Sequence, residues 1–173
     1  MADLELLLLR HGLAEPRGRG VEDGLRTLTA EGRQRTRQIC QRACQLGLSA
    51  PSLLTSPLAR ARQTAEIAVA AGLAPALSCH DALLPGADPW PMLCDWWSRQ
   101  DRPQRLILVG HEPDLGLLAC RLLAAPPGAL ALKKAGIALL AWPVPPAGSG
   151  PTEPAQLRLL LTPKILARPW QDA

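Results

Sequence analysis

The sequence contains no phenylalanine and no tyrosine, and five tryptophans supply all of its aromatic side chains. A core without Phe and Tyr must be built mainly from aliphatic residues, and Leu and Ala are abundant. No aromatic residues interleave with the cations, as single-stranded nucleic-acid binding would require, so we expect no nucleic-acid partner. With 47% hydrophobic and 20% charged residues, the composition is that of a globular protein.

Long apolar runs are also missing. The run Leu6–Leu9 is too short for the apolar part of a signal peptide and far too short to span a bilayer, so we expect no membrane association. The five cysteines are odd in number and follow no disulfide framework, which favours reduced thiols and a cytoplasmic location. A length of 173 residues suits one domain over residues 1–173 with a substantial core.

The usual metal and nucleotide motifs are absent as well: there is no CxxC pair, HExxH, Asp-rich loop, Walker A string or GxGxxG. We therefore expect neither a metal nor a cofactor. Cys40 and Cys44 share a helix face and Cys79 adjoins His80, so a thiolate and imidazole site stays conceivable, although buried core cysteines are favoured. The G-x-S-x-G elbow of a serine hydrolase is lacking too.

Apolar strand patterns alternate with helix patterns along the chain, which predicts an α/β fold. We expect a three-layer sandwich with a mostly parallel central sheet, helices on both faces and a final antiparallel hairpin. The predicted strands are Leu4–Leu9, Ser52–Thr55, Ala76–Ser78, Leu106–Val109, Ile137–Trp142 and Leu157–Leu161. The predicted helices are one capped by Thr29 and ended by Gly47, one capped by Ser56 and ended by Gly72, one from Pro89 to Ser98, and one capped by Asp114.

Three polar segments follow predicted strands. Arg10-His11-Gly12 comes directly after Leu4–Leu9, the segment Ser56–Thr64 reads SPLARARQT, and the segment 109–113 reads VGHEP. Open α/β sheets bind ligands at the carboxyl ends of their strands, so these segments are expected to meet in one site. Gly12 is expected to permit a sharp turn and the close approach of an anion.

Together and in this order, the three segments resemble those of the histidine phosphatase superfamily, whose motifs are RHG, S-P-x-x-R-A-x-Q-T and a later G-H. The short chain, the string RHGLAE and the segment Arg26–Thr29 are similar to the small SixA-type phosphohistidine phosphatases, with Thr27 in place of a proline. The resemblance implies a phosphoglycerate mutase-like fold. It also implies that His11 is the nucleophile and that Arg10, Arg60 and His111 hold the phosphoryl group.

Those residue types suit phosphoryl transfer. A neutral imidazole can attack phosphorus and divide one difficult step into two, and neighbouring arginines keep it unprotonated by disfavouring a second positive charge. Guanidinium groups bind phosphoryl oxygens through two parallel hydrogen bonds. Gly12 and Arg26 are further substrate-binding candidates, with a surface ion pair as the alternative for Arg26. An early cluster of cations that includes Arg17 and Arg19 contributes to the net charge of +4 and suits an anionic substrate or an acidic protein.

The leaving group decides which substrate fits. An alkoxide needs a general acid, and the sequence offers only Asp81 in the region where larger family members carry a glutamate. Phosphohistidine needs less acid help because its imidazole leaves readily. We therefore expect a metal-independent phosphatase that removes phosphate from phosphohistidine on a partner protein. The alternatives are a small-molecule phosphomonoesterase that uses Asp81 as acid and a phosphoprotein-binding module without turnover. The oligomeric state leaves no trace in the sequence.

Overall fold

The structure is a computed structural model that describes residues 3–18, 20, 22–144 and 149–166. Its strands are β1 (Asp3–Arg10), β2 (Ser52–Thr55), β3 (Ser78–Cys79), β4 (Arg105–Gly110), β5 (Ile137–Pro143) and β6 (Gln156–Leu161). Its helices are α1 (Ala30–Gln45), α2 (Ala59–Ala70), α3 (Trp90–Ser98), α4 (Asp114–Leu122) and α5 (Pro163–Leu166), with 3₁₀ turns at Asp23–Leu25 and Asp81–Leu83.

The six strands form one sheet in the order β3-β2-β4-β1-β5-β6. Strand β4 lies parallel to both β1 and β2, while β5 pairs antiparallel with β1 and with β6. The mostly parallel sheet and the final hairpin are therefore confirmed. This order brings the carboxyl ends of β1, β4 and β2 side by side at one edge, where a ligand crevice is expected.

Alternate residues of β1 belong to two separate cores, one on each face of the sheet. Leu6 and Leu8 pack with α3 and α4, whereas Leu7 and Leu9 pack with α1 and α2. The three-layer arrangement is thus confirmed. The expectation of an aliphatic core holds only for the α1 and α2 side, because three buried tryptophans cluster on the other side, namely Trp96, Trp97 and Trp142.

Local signals place the first helix correctly. The Thr29 side chain accepts a hydrogen bond from the Gly32 N–H and caps α1, and Gly47 follows the helix with a φ of +74°. Gly72 follows α2 in the same way, with a φ of +85°. The prediction that Ser56 caps α2 is wrong: the helix begins at Ala59 and Leu58 occupies the cap position. Asp114 is likewise the first residue of α4 and does not precede it as a cap.

The cysteines divide by exposure. Cys40 is buried as expected and Cys44 is half-buried, whereas Cys79 is exposed, so the core interpretation is wrong for Cys79. No helix in the described ranges has both the length and the apolar character needed to cross a bilayer. Within the same ranges, no group of three or more His, Cys, Asp or Glu side chains is placed to hold a metal ion.

Candidate phosphoryl-transfer site

Each of three neighbouring strands is followed directly by a polar residue that belongs to the candidate site. His11 follows β1, His111 follows β4 and Ser56 follows β2. The rings of the two histidines lie with their centroids 5.1 Å apart. These three residues and Arg60 are buried, and we call the four together the buried centre.

The tautomer of His11 is fixed by its own chain. Its Nδ1 lies 2.7 Å from the carbonyl oxygen of Gly12, and a carbonyl can only accept, so Nδ1 carries the proton. Burial lowers the pKa of His11 to about 4, and the nearby positive charges of Arg60 and Arg10 act in the same direction. At neutral pH the imidazole is therefore uncharged, with an unprotonated Nε2 available to attack phosphorus.

His111 contacts the hydroxyl of Ser56, with 2.8 Å between Nε2 and Oγ. Burial lowers the pKa of His111 to about 3, and the neighbouring His11 and Arg60 act in the same direction. His111 is thus neutral as well. Its Nδ1 is buried and has no hydrogen-bond partner among the described residues.

Arg60 comes from the first turn of α2 and reaches towards the turn that contains Asp23. Its NH1 donates to the carbonyl oxygen of Asp23 at 2.7 Å, and its NH2 lies 3.1 Å from the Asp23 carboxylate. Arg26 and Arg17 donate to the same carboxylate. Partial burial opposes ionisation of Asp23, but the guanidinium groups of Arg60 and Arg26 outweigh it and lower its pKa. One carboxylate therefore gathers three cations at the site.

A cavity of about 310 Å³ is lined by both histidines, Arg10 and Arg60. Three further cations line it, and we call them the basic rim: Arg17, Arg26 and Lys134. Arg26 also donates to the carbonyl oxygen of Glu15, so it both lines the cavity and forms the ion pair given as its alternative. Arg17 lines the same cavity, whereas Arg19 lies outside the described residues.

Three other polar side chains lie outside this cavity. Asp81 is exposed in the 3₁₀ turn Asp81–Leu83 and is not among the residues that line this cavity. His80 is exposed, and its Nδ1 accepts a hydrogen bond from the Ala82 N–H. Arg62 is paired with Glu66 on the surface of α2, as its position two residues after Arg60 indicates.

Gly12 serves packing more than turning. Its backbone has no positive φ, and a Cβ placed on it would overlap Thr36 Oγ1 of α1 and approach Leu28. The Gly12 N–H donates to Thr64 Oγ1 of α2 at 3.0 Å. The glycine therefore lets both helices approach the loop that holds the His11 tautomer. Its φ does not require a glycine, so the expected sharp turn is not the reason for this residue.

Sequence reasoning missed Glu112, which lies in the quoted VGHEP segment. Its carboxylate accepts a hydrogen bond from the Leu132 N–H at 2.9 Å, while Arg10 donates to the Leu132 carbonyl oxygen at 2.7 Å. Burial raises the pKa of Glu112, against the opposing effects of the Leu132 N–H and Arg10. Glu112 and Arg10 thus hold the same backbone segment beside the cavity. The position of Glu112 next to His111 in the sequence is the signal that could have identified it. Asp23 and Lys134 were also missed and carry no comparable local signal.

Comparison with known proteins agrees with this geometry. The family model "Histidine phosphatase superfamily (branch 1)" matches residues 6–83, a range that holds Arg10, His11 and Arg60. An uncharacterised protein of Picosynechococcus sp. (strain PCC 7002) is 45% identical over 137 residues, which cover 78% of this chain and 82% of that protein. The chain belongs to the histidine phosphatase superfamily. This membership supports a phosphatase activity.

Solved structures of related fold cover nearly the whole chain. The protein histidine phosphatase SixA in complex with tungstate superposes with a TM-score of 0.76 at 19% identity, over 92% of this chain and 97% of that one. The α-ribazole phosphatase of Shigella flexneri superposes with a TM-score of 0.61 at 18% identity, over 92% and 96%. At these identities the superpositions establish the shared fold, and the expected phosphoglycerate mutase-like architecture is confirmed.

Proposed function

We propose that this protein is a metal-independent phosphatase that removes phosphate from phosphohistidine on a partner protein, with His11 as the nucleophile. The observation that carries the proposal is the state of His11. It is buried, uncharged at neutral pH and held by Gly12 in the tautomer that leaves Nε2 free. Burial alone would also keep a structural histidine uncharged, so the free Nε2 in a cavity that Arg10 and Arg60 also line is what favours a nucleophile.

In the first proposed step, the lone pair of His11 Nε2 forms a bond to phosphorus while the bond between phosphorus and the substrate imidazole nitrogen breaks. The bonding pair leaves with the substrate imidazole, which takes a proton from solvent. Arg10 and Arg60 stabilise the charge on the equatorial oxygens during transfer. In the second step, water attacks phospho-His11, releases phosphate and restores the neutral imidazole.

Two features of the site support a phosphohistidine substrate. The carboxyl group suggested as an acid by the sequence, Asp81, does not line the cavity, and imidazole needs less protonation than an alkoxide to leave. The exposed cations Arg17 and Lys134 stand at the mouth of the cavity, where they can face acidic groups on a protein surface.

A small-molecule phosphomonoesterase is the second candidate, and Glu112 is the observation that favours it. Glu112 lines the cavity and its pKa is raised by burial, so it could supply the proton that an alkoxide leaving group needs. The fold is also shared with an α-ribazole phosphatase. Glu112→Gln keeps an oxygen that can accept from Leu132 and removes the proton, so it should slow ester cleavage and spare phosphohistidine cleavage.

The test compares two substrates in the presence of EDTA: a histidine-phosphorylated phosphotransfer domain carrying ³²P, and p-nitrophenyl phosphate. His11→Ala is the inactive variant, and His80→Ala is the matched control because His80 is the one histidine outside the cavity. We expect rapid loss of label from the phosphoprotein, little ester cleavage, and label transiently trapped on the wild-type enzyme after acid-free quenching. His11→Ala should lose both the dephosphorylation and the trapped label, and His80→Ala should keep both.

Other outcomes identify the alternatives. Preferential cleavage of the ester, lost in Glu112→Gln, would replace the proposal with the phosphomonoesterase. Saturable phosphate binding that is lost in Arg60→Ala, without turnover of either substrate, would indicate a phosphoprotein-binding module. Equal activity of His11→Ala and wild type on the phosphoprotein would remove His11 from the mechanism.

A further inference from the structure

Ser56 does not cap a helix, and its side chain belongs to the buried centre. It is fully buried at the end of β2, and its Oγ lies 2.8 Å from His111 Nε2. The same Oγ accepts a hydrogen bond from the Leu58 N–H at 3.3 Å. A serine hydroxyl can donate once and accept twice, so these two contacts restrict where its proton goes.

The two neutral tautomers of His111 satisfy these atoms unequally. If Nε2 carries the proton and donates to Ser56, the hydroxyl proton of Ser56 and the lone pair of His111 Nδ1 are both left without partners among the described residues. If Nδ1 carries the proton, Ser56 donates to Nε2, and the Nδ1–H is the one group left over. Because each buried polar group without a partner costs free energy, the second arrangement is favoured.

The group left over belongs to a ring that lines the cavity. His111 is neutral in the absence of ligand and lines the cavity beside His11. A neutral imidazole can donate to a phosphoryl oxygen only from the nitrogen that carries its proton. With Nε2 occupied by Ser56, that nitrogen is Nδ1.

We propose that Ser56 is a positioning residue that holds His111 in the Nδ1–H tautomer and thereby makes Nδ1 the donor to a phosphoryl oxygen. The catalytic consequence rests on the proposed function, but the tautomer itself does not. It can therefore be measured in the free protein without any substrate.

The experiment is a two-bond ¹H–¹⁵N correlation spectrum of protein labelled with ¹⁵N-histidine. Assignment is simple because the chain has only three histidines. His80→Gln and His111→Gln assign the signals by loss. In the wild type we expect His111 Nδ1 to resonate as a protonated nitrogen and Nε2 as an unprotonated one. Adding tungstate as a phosphoryl analogue should shift the His111 Nδ1 resonance more than its Nε2 resonance.

Ser56→Ala should produce a mixture of His111 tautomers and lower kcat about tenfold or more on whichever substrate the enzyme turns over, the loss expected when a hydrogen bond to a charged group is misdirected. Ser56→Thr keeps the hydroxyl, so it should keep the wild-type tautomer of His111 and the wild-type kcat. Thr55→Val is the matched control, because it removes the neighbouring buried hydroxyl, which donates to the Ser56 carbonyl oxygen and does not contact His111. It should change neither the spectrum nor kcat.

A protonated Nε2 in the wild type would overturn the proposal, as would a Ser56→Ala spectrum and kcat identical to wild type. If the His111 Nδ1 resonance does not move when tungstate binds, Nδ1 is not the donor to a phosphoryl oxygen. If the phosphoprotein proves not to be a substrate while the spectra behave as expected, the proposed function fails and the role of Ser56 stands.

Discussion

The buried centre and the basic rim differ in how their side chains are held. Members of the centre follow strands or begin a helix, and their polar atoms are fixed by short contacts within the fold, such as those of His11 with Gly12 and of His111 with Ser56. Within the rim, Arg17 and Lys134 are exposed, and Arg17 and Arg26 share the carboxylate of Asp23. The comparison suggests that chemistry depends on the centre for every substrate, whereas the rim matters only for substrates large enough to reach it.

Among the variants that keep His11, the largest loss should follow Arg60→Ala. The guanidinium is buried and lines the cavity, and arginines that stabilise phosphoryl transfer contribute on the order of 10³-fold or more. We expect kcat/KM to fall about 10³-fold for both substrates, which corresponds to about 4 kcal/mol of transition-state stabilisation. Arg62→Ala is the matched control, because Arg62 lies on the same helix but is exposed and paired with Glu66. Comparable losses in both variants would show that helix charge, and not contact, is responsible.

The centre can be predicted from the sequence because each of its parts follows a strong local signal. Apolar runs predict β1 and β4, and parallel neighbours bring their ends together, so the sequence alone pairs His11 with His111. The sequence also singles out Ser56 but assigns it the wrong role, since a Ser-Pro pair is typical of a helix start and the competing contact with His111 is 55 residues away in sequence. Nothing local distinguishes these two uses of the hydroxyl.

Much of the surrounding support cannot be predicted in this way. Asp23 reaches Arg60 across 37 residues, and Glu112 reaches the backbone of Leu132 across 20. Such contacts depend on how two loops fold onto the same sheet edge, which hydrophobic periodicity does not describe. The packing constraint on Gly12 is missed for a similar reason, because it comes from the neighbouring α1 and not from its own φ.

The two buried histidines should make the protein sensitive to mild acid. Their pKa values in the fold are about 4 and about 3, below the value of about 6.5 in an unfolded chain. As pH falls below 6.5, the unfolded chain takes up protons that the native state excludes, so the free energy of unfolding falls by up to about 1.4 kcal/mol per pH unit for each histidine. Urea titrations between pH 7 and pH 4 measure this slope.

His111→Gln, of similar polarity and without a titrating ring, should make that slope shallower, and His80→Gln should leave it unchanged because His80 is exposed. A slope equal in all three proteins would mean that His111 titrates normally.

A smaller effect on stability is expected where Gly12 packs against α1. Gly12→Ala places a methyl group against Thr36 Oγ1, and overpacking of this kind costs about 1–3 kcal/mol of unfolding free energy. Adding Thr36→Ala should recover part of the loss, because Thr36 Oγ1 has no hydrogen-bond partner in the described part of the chain. Gly24→Ala is the control, since a Cβ there meets only ordinary contacts. Equal losses at Gly12 and Gly24 would mean that the overlap with Thr36 is not the cause.

The smallest effect should come from the rim, and it tests the comparison directly. Lys134→Glu reverses one exposed charge at the mouth of the cavity, which should weaken encounter with an acidic protein and raise KM for the phosphoprotein a few-fold at low salt. Added salt should reduce the difference, because exposed charges are screened within about 10 Å at 0.1 M ionic strength. Cleavage of p-nitrophenyl phosphate should change little, since a small ester reaches the buried centre without crossing an extended surface. Lys164→Glu on α5 serves as the control with the same charge change on an exposed residue outside the cavity. If Lys134→Glu slows both substrates equally, the rim belongs to the chemistry and the separation between the two regions fails.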